Sequence, residues 1–73
     1  MPEDWRPLRA VGTGAIEIRI HVGTEHRVVV VRKFEEAIYV LHAFDKKTRK
    51  TAQRDVDLAR RRYKEMVAER RSI

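Results

Sequence analysis

The sequence predicts an α+β fold, a three-stranded antiparallel β-meander followed by one C-terminal α-helix packed on the sheet. Three observations predict it. Apolar and polar residues alternate strictly from Ala15 to Val22, two further apolar runs follow at Val28–Val31 and Ile38–Leu41, and the apolar period becomes helical after Thr51. The segments between the runs are short enough only for direct reversals, which make neighbouring strands antiparallel. The 73 residues form one domain, 1–73.

Residues 1–14 are expected to be irregular. Pro2, Pro7 and Gly12-Thr13-Gly14 supply turn chemistry without periodicity. Trp5 and Leu8 are candidates to fold back on the body. The Gly-Thr-Gly is no phosphate loop, since neither a Walker lysine nor a helix start follows it.

The strands occupy 15–44. In the first, Ile16, Ile18, Ile20 and Val22 point one way while Glu17, Arg19 and His21 point the other, as in a half-buried strand with one polar face. Gly23-Thr24-Glu25 has hairpin-loop length. The second strand, His26–Lys33, carries four consecutive valines, which disfavour a helix and fit a strand covered on both faces. Phe34-Glu35-Glu36 turns the chain into the third strand, Glu36–Phe44.

A basic loop follows at 45–51, then a helix at 52–69. Ala52, Val56, Ala59, Tyr63, Met66 and Val67 recur at helical spacing and read as core packing on the sheet. Thr51 is the expected N-cap. Asp55 and Asp57 complement the positive end of the helix dipole, and Arg70 and Arg71 the negative end. The Arg60–Arg62 run reads as a solvated face, with an acidic partner as the alternative.

Net charge is +6, and its distribution is informative. Residues 1–44 hold six Lys/Arg and six Asp/Glu; residues 45–73 hold eleven and five, so the whole excess lies in the second part. Such asymmetry favours a polyanionic partner. With no cysteine, disulfides and cysteine-based zinc sites are excluded, and His21, His26 and His42 lack metal-ligand spacing, so no metal or cofactor is expected. No run approaches the ~18 apolar residues of a membrane span, and the start has no signal-peptide core, so a cytoplasmic protein without membrane attachment is expected.

The densest chemistry lies at the exit of the third strand. His42 can move a proton near neutral pH. Lys46, Lys47, Arg49 and Lys50 put four cations in five positions, which is how phosphates are held. The plainer readings are a packed histidine and a solubilising charge run. Arg19 and Arg27, on the first two strands, extend the basic surface; the plainer reading pairs Glu17 with Arg27 or Arg32 across the strands, worth roughly 0.2–1 kcal/mol.

Four stretches carry a resemblance: Gly14-Ala-Ile-Glu-Ile-Arg-Ile20, His26-Arg-Val-Val-Val30, Tyr39-Val-Leu-His-Ala-Phe-Asp-Lys-Lys47 and Asp57-Leu-Ala-Arg-Arg-Arg62. Together they resemble the phage-derived branch of the RelE/HigB toxin superfamily, the most specific part being Leu-His-Ala-Phe-x-Lys-Lys at 41–47. The resemblance implies a truncated RelE-like fold and the toxin of a type II toxin–antitoxin pair. Such toxins act on the ribosome as metal-independent mRNA endoribonucleases, the 2′-hydroxyl attacking the adjacent phosphate. It implies mRNA on the ribosome and a helix-turn-helix antitoxin as partners. By matched position it gives Arg27 a role near the scissile phosphate, Arg19 one in proton transfer or charge stabilisation, and Lys46 and Lys47 the basic pair; it leaves His42 as base or as scaffold.

Relatives open with a strand and a helical hairpin, where this chain has about fourteen residues. One apolar sheet face is therefore expected to be bare, which predicts a homo-oligomer or a tight partner. The alternative functions are an inactive RelE-like remnant binding RNA or antitoxin, and a homo-oligomeric structural module.

Overall fold

The computed structural model describes residues 4–45 and 51–72. Four strands, not three, form one antiparallel sheet in sequential order: β1 (Trp5–Pro7), β2 (Ala15–Val22), β3 (Thr24–Val31) and β4 (Tyr39–Asp45). A single helix, α1 (Gln53–Ser72), follows. β1 corrects the expectation of an irregular start at 1–14. Its three residues pair Trp5 with Ile18, Arg6 with Glu17 and Pro7 with Ile16. Backbone bonds from Arg19 N to Asp4 O (2.8 Å) and from Leu8 N to Ala15 O (2.9 Å) extend the ladder at both ends. Pro7 is tolerated because β1 is an edge strand.

Other boundaries shift by a few residues. The hairpin between β2 and β3 is tighter than the Gly23–Glu25 loop expected, because Gly23 adopts φ +71° and lets the ladder resume at Thr24. β4 begins at Tyr39 rather than Glu36, and α1 continues to Ser72 rather than 69.

Register decides which face the helix covers. Ala15, Glu17, Arg19 and His21 of β2 lie opposite Val31, Val29, Arg27 and Glu25 of β3. This is the helix face. Its core joins Val11, Ala15, Val29, Val31 and Leu41 to Val56, Ala59 and Met66 of α1. Ala59 has no exposed surface and sits with its small methyl inside this core. Each fully buried valine contributes roughly 1.5–3 kcal/mol.

The other face carries the isoleucine row. Ile16 and Val30 are buried among their sheet neighbours, but Ile20 and Val22 are exposed, as are Trp5 and Val40. No described element packs on this face. Among the described residues this face is therefore apolar and partly exposed. No described helix is long and apolar enough to cross a membrane.

One β-bulge shapes β4. Val29 lies opposite His42 and Val30 opposite Val40, leaving Leu41 as the extra residue. Consecutive residues thus both serve the helix side: Leu41 enters the core and His42 reaches α1. The bulge carbonyl is satisfied by Arg62, whose Nη1 donates to Leu41 O at 2.8 Å.

A polar clasp fixes the far end of α1. Arg70 donates twice to Glu36 (2.7 and 2.9 Å) and lies 3.5 Å from the centre of the Phe34 ring. Tyr39 donates its hydroxyl to Glu36 at 2.9 Å. The hydrogen-bonded Arg70 guanidinium lowers the Glu36 carboxyl to a pKa of about 2, and Glu36 in turn raises that of Tyr39. Nearby, Gly12 lies under Tyr63, where a Cβ would meet the ring at 2.6 Å.

Candidate functional site

Glu17 lies on the polar side of β2's alternation, which is the side α1 covers. Its side chain has no exposed surface, although the alternation pattern placed it on an open polar face. A buried carboxylate requires charged or hydrogen-bonded partners. Glu17 Oε1 has three guanidiniums around it: Arg27 Nη1 at 3.2 Å, Arg6 Nε at 3.4 Å and Arg19 Nε at 3.8 Å. The Thr51 hydroxyl donates to Glu17 Oε2 and accepts from Arg6 Nη2 at 3.2 Å. Thr51 is thus drawn into this cluster instead of capping α1. The first helical bond is accepted by Ala52 O from Val56 N, at 3.1 Å.

Arg27 is 1% exposed and also donates to Glu25 Oε1 at 3.2 Å. The cross-strand pairing of Glu17 with Arg27 is present, but it is buried rather than a surface contact. Arg19 and Arg6 keep 29% and 39% of their side chains exposed, so the solvent-facing part of the cluster is theirs.

The second group is built on β4. His42 Nε2 lies 2.9 Å from Asp55 Oδ1, both groups mostly buried, and the imidazole stacks on Phe44 at 4.8 Å between centroids. An ionised carboxylate accepts only, so in the neutral imidazole this bond places the proton on Nε2 and leaves the lone pair on Nδ1. His42 faces Val29 and Phe44 faces Arg27. His42 and Arg27 are therefore diagonal neighbours on the helix face, about 7–8 Å apart by sheet geometry. A proton acceptor and a set of cations thus share one end of one face.

The other histidines are tied differently. His21 pairs with Asp4, and His26 Nδ1 lies 2.5 Å from Asp45 Oδ1 on the bare face. Among the described residues no three His, Cys, Asp or Glu side chains gather as a metal site would need. Lys46, Lys47, Arg49 and Lys50 lie outside the described residues. Of the Arg60–Arg62 run, Arg60 donates to Ala10 O at 2.7 Å and Arg62 holds Leu41 O.

Four residues of this arrangement were absent from the sequence-based candidates: Arg6, Glu17, Thr51 and Asp55. Asp55 had a signal, since Ala59, four residues on, lies on the core stripe, so Asp55 shares the helix side facing the sheet. Arg6 had none, because its strand is too short to show a pattern.

No curated protein and no solved structure matches the chain. A family model does, the one described as Phage derived protein Gp49-like (DUF891), over residues 1–64. That match spans β1 to β4 and most of α1, in keeping with the phage-derived resemblance carried by Leu41–Lys47. The chain belongs to the phage-derived Gp49-like family.

Proposed function

We propose that this protein is a RelE/HigB-like toxin of a type II toxin–antitoxin pair, and that it cuts mRNA on the ribosome. The observation that carries the reading is the His42–Asp55 pair on the same sheet face as the Arg6–Arg19–Arg27 cluster, in a chain of the Gp49-like family, which is compatible with a toxin-like protein. In this reading His42 Nδ1 takes the proton of a ribose 2′-hydroxyl. The freed oxygen attacks the adjacent phosphorus, the bond to the 5′-oxygen breaks, and a 2′,3′-cyclic phosphate forms. The departing 5′-oxygen takes a proton from the protein or from solvent. Asp55 holds the imidazole in the tautomer that can act as base and stabilises it once charged. The guanidiniums stabilise the charge developing on the phosphate oxygens. Lys46 and Lys47 are assigned to the same phosphates by their match to the family motif. The chemistry uses no cofactor, and the natural partners are ribosome-bound mRNA and a small helix-turn-helix antitoxin.

The test is controlled expression in growing bacteria, with cleavage mapped on a translated message. Wild type should arrest growth and leave defined mRNA 5′ ends, and His42→Ala should do neither. Arrest by His42→Ala equal to that of wild type would remove His42 from the mechanism, and no arrest by wild type would reject the nuclease.

A second reading is favoured by the burial of Arg27 at 1% exposure between Glu17 and Glu25. A residue so committed is scaffold rather than phosphate ligand, as in an inactive relative that binds RNA or an antitoxin. RNA binding without growth arrest is the outcome that selects it.

A further inference from the structure

We infer that Arg6 and Arg19 form a clamp for one phosphodiester group of single-stranded RNA, with Glu17 as the residue that positions it. The inference rests on the proposed RNA-directed function and divides its arginine cluster, with Arg6 and Arg19 holding the phosphodiester and the buried Arg27 serving as their support.

Charge and exposure carry the argument. Among the described residues, Glu17, Glu25, Arg6, Arg19 and Arg27 form one contiguous set of ion pairs, two carboxylates against three guanidiniums, with one positive charge in excess. Arg27 touches both carboxylates and is buried, so the excess falls on Arg6 and Arg19. Both turn their Nε edge to the same oxygen, Glu17 Oε1, and both are partly exposed. Their Nε atoms are buried without a hydrogen-bond acceptor, the contacts of 3.4 and 3.8 Å to Glu17 being ionic only. Two like charges held at one carboxylate repel each other. An arriving anion relieves that repulsion and takes up the N–H groups that face solvent. A phosphodiester carries the one negative charge the set lacks, and guanidinium forks suit its paired oxygens. Thr51 holds Arg6 in place by accepting from its Nη2.

The full chain is titrated with a fluorescent single-stranded RNA across a salt series, and separately with inorganic phosphate followed by NMR. Arg6→Gln and Arg19→Gln are compared with Arg61→Gln, which removes the same charge from an exposed helix position. Circular dichroism melts establish that each variant folds. Arg6→Gln and Arg19→Gln should each weaken RNA binding roughly tenfold at low salt, as expected for losing a charged hydrogen bond. Each should also lower the salt slope by about 0.7 per lost phosphate contact, with Arg61→Gln leaving the slope near wild type. Equal effects of all three variants on RNA and on phosphate overturn the clamp. Phosphate binding lost in Arg6→Gln, with no RNA binding by wild type at low salt, upholds the anion site and overturns RNA as its ligand.

Discussion

Asp55, in the first turn of α1, accepts a hydrogen bond from His42 of β4 at 2.9 Å, joining the last strand to the start of the helix. The contact does two jobs at once. It ties the helix N-terminus to the sheet, and it fixes which imidazole nitrogen is free to take a proton.

Those jobs separate on mutation. Asp55→Asn preserves shape and can still meet the ring, but it no longer demands a proton on Nε2. Cleavage of a translated mRNA should fall about 10²-fold or more, in line with loss of a general base, while the thermal midpoint moves little. Cleavage by Asp55→Asn at the wild-type rate would leave Asp55 a purely structural residue.

Glu17 and Arg27 make a different demand. Removing one member of a buried ion pair leaves the other charge uncompensated, at about 3–5 kcal/mol. Glu17→Ala should therefore unfold at much lower urea than wild type, or fail to fold. The double variant Glu17→Met/Arg27→Met should recover much of that loss, because apolar side chains of similar size suit the space under α1. A double variant no better than either single one argues against the pair as the source of the cost.

The clasp between Glu36 and Arg70 sets an acid limit. Glu36 is lowered from 4.5 to about 2, chiefly by its hydrogen bonds from Arg70. A carboxyl with a depressed folded pKa favours the folded state above its unfolded value and loses that advantage as pH falls through the folded one. The Glu36 contribution is thus complete above about pH 4.5 and gone near pH 2. In thermal melts from about pH 6 to about pH 2, Glu36→Gln should lie below wild type at the upper end and converge with it at the lower. Parallel curves would show that the clasp adds nothing in solution.

The two faces of the sheet should respond oppositely to substitution. Val31, fully buried beneath α1, should cost about 2 kcal/mol when cut to alanine. Val22, 71% exposed on the bare face, should tolerate threonine within about 0.5 kcal/mol. Urea midpoints of the two variants check the assignment, and a Val22→Thr loss matching Val31→Ala would mean that the bare face is covered in solution.

The sequence made the meander and the helix readable because their periods differ and each lasts long enough to be seen. β1 was not readable, as three residues cannot show alternation and Pro7 resembles a turn residue until an edge strand is known to hold it. The buried side of β2 was misread for a related reason. Four β-branched residues outweigh Ala15 and Glu17 in any hydrophobicity pattern, yet it is Ala15 that joins the core with α1 and Glu17 that is fully buried. Burial of Glu17 depends on arginines from three strands and a threonine 34 positions away, partners that no local window contains. His42 could be singled out from its neighbours, whereas the signal at Asp55, its place on the helix side facing the sheet, was masked because the dipole already explained an acid at a helix start.

The extra residue at Leu41 has a bearing on how relatives can differ. Along a strand, side assignment depends on parity, so one inserted or deleted residue between Tyr39 and His42 would exchange the destinations of everything beyond it. His42 would then project away from Asp55, and Phe44 away from Arg27. Length in this stretch is therefore constrained more tightly than composition. A relative with different apolar residues at 39–41 can keep the arrangement, but one with a shorter strand cannot unless a second irregularity restores the count.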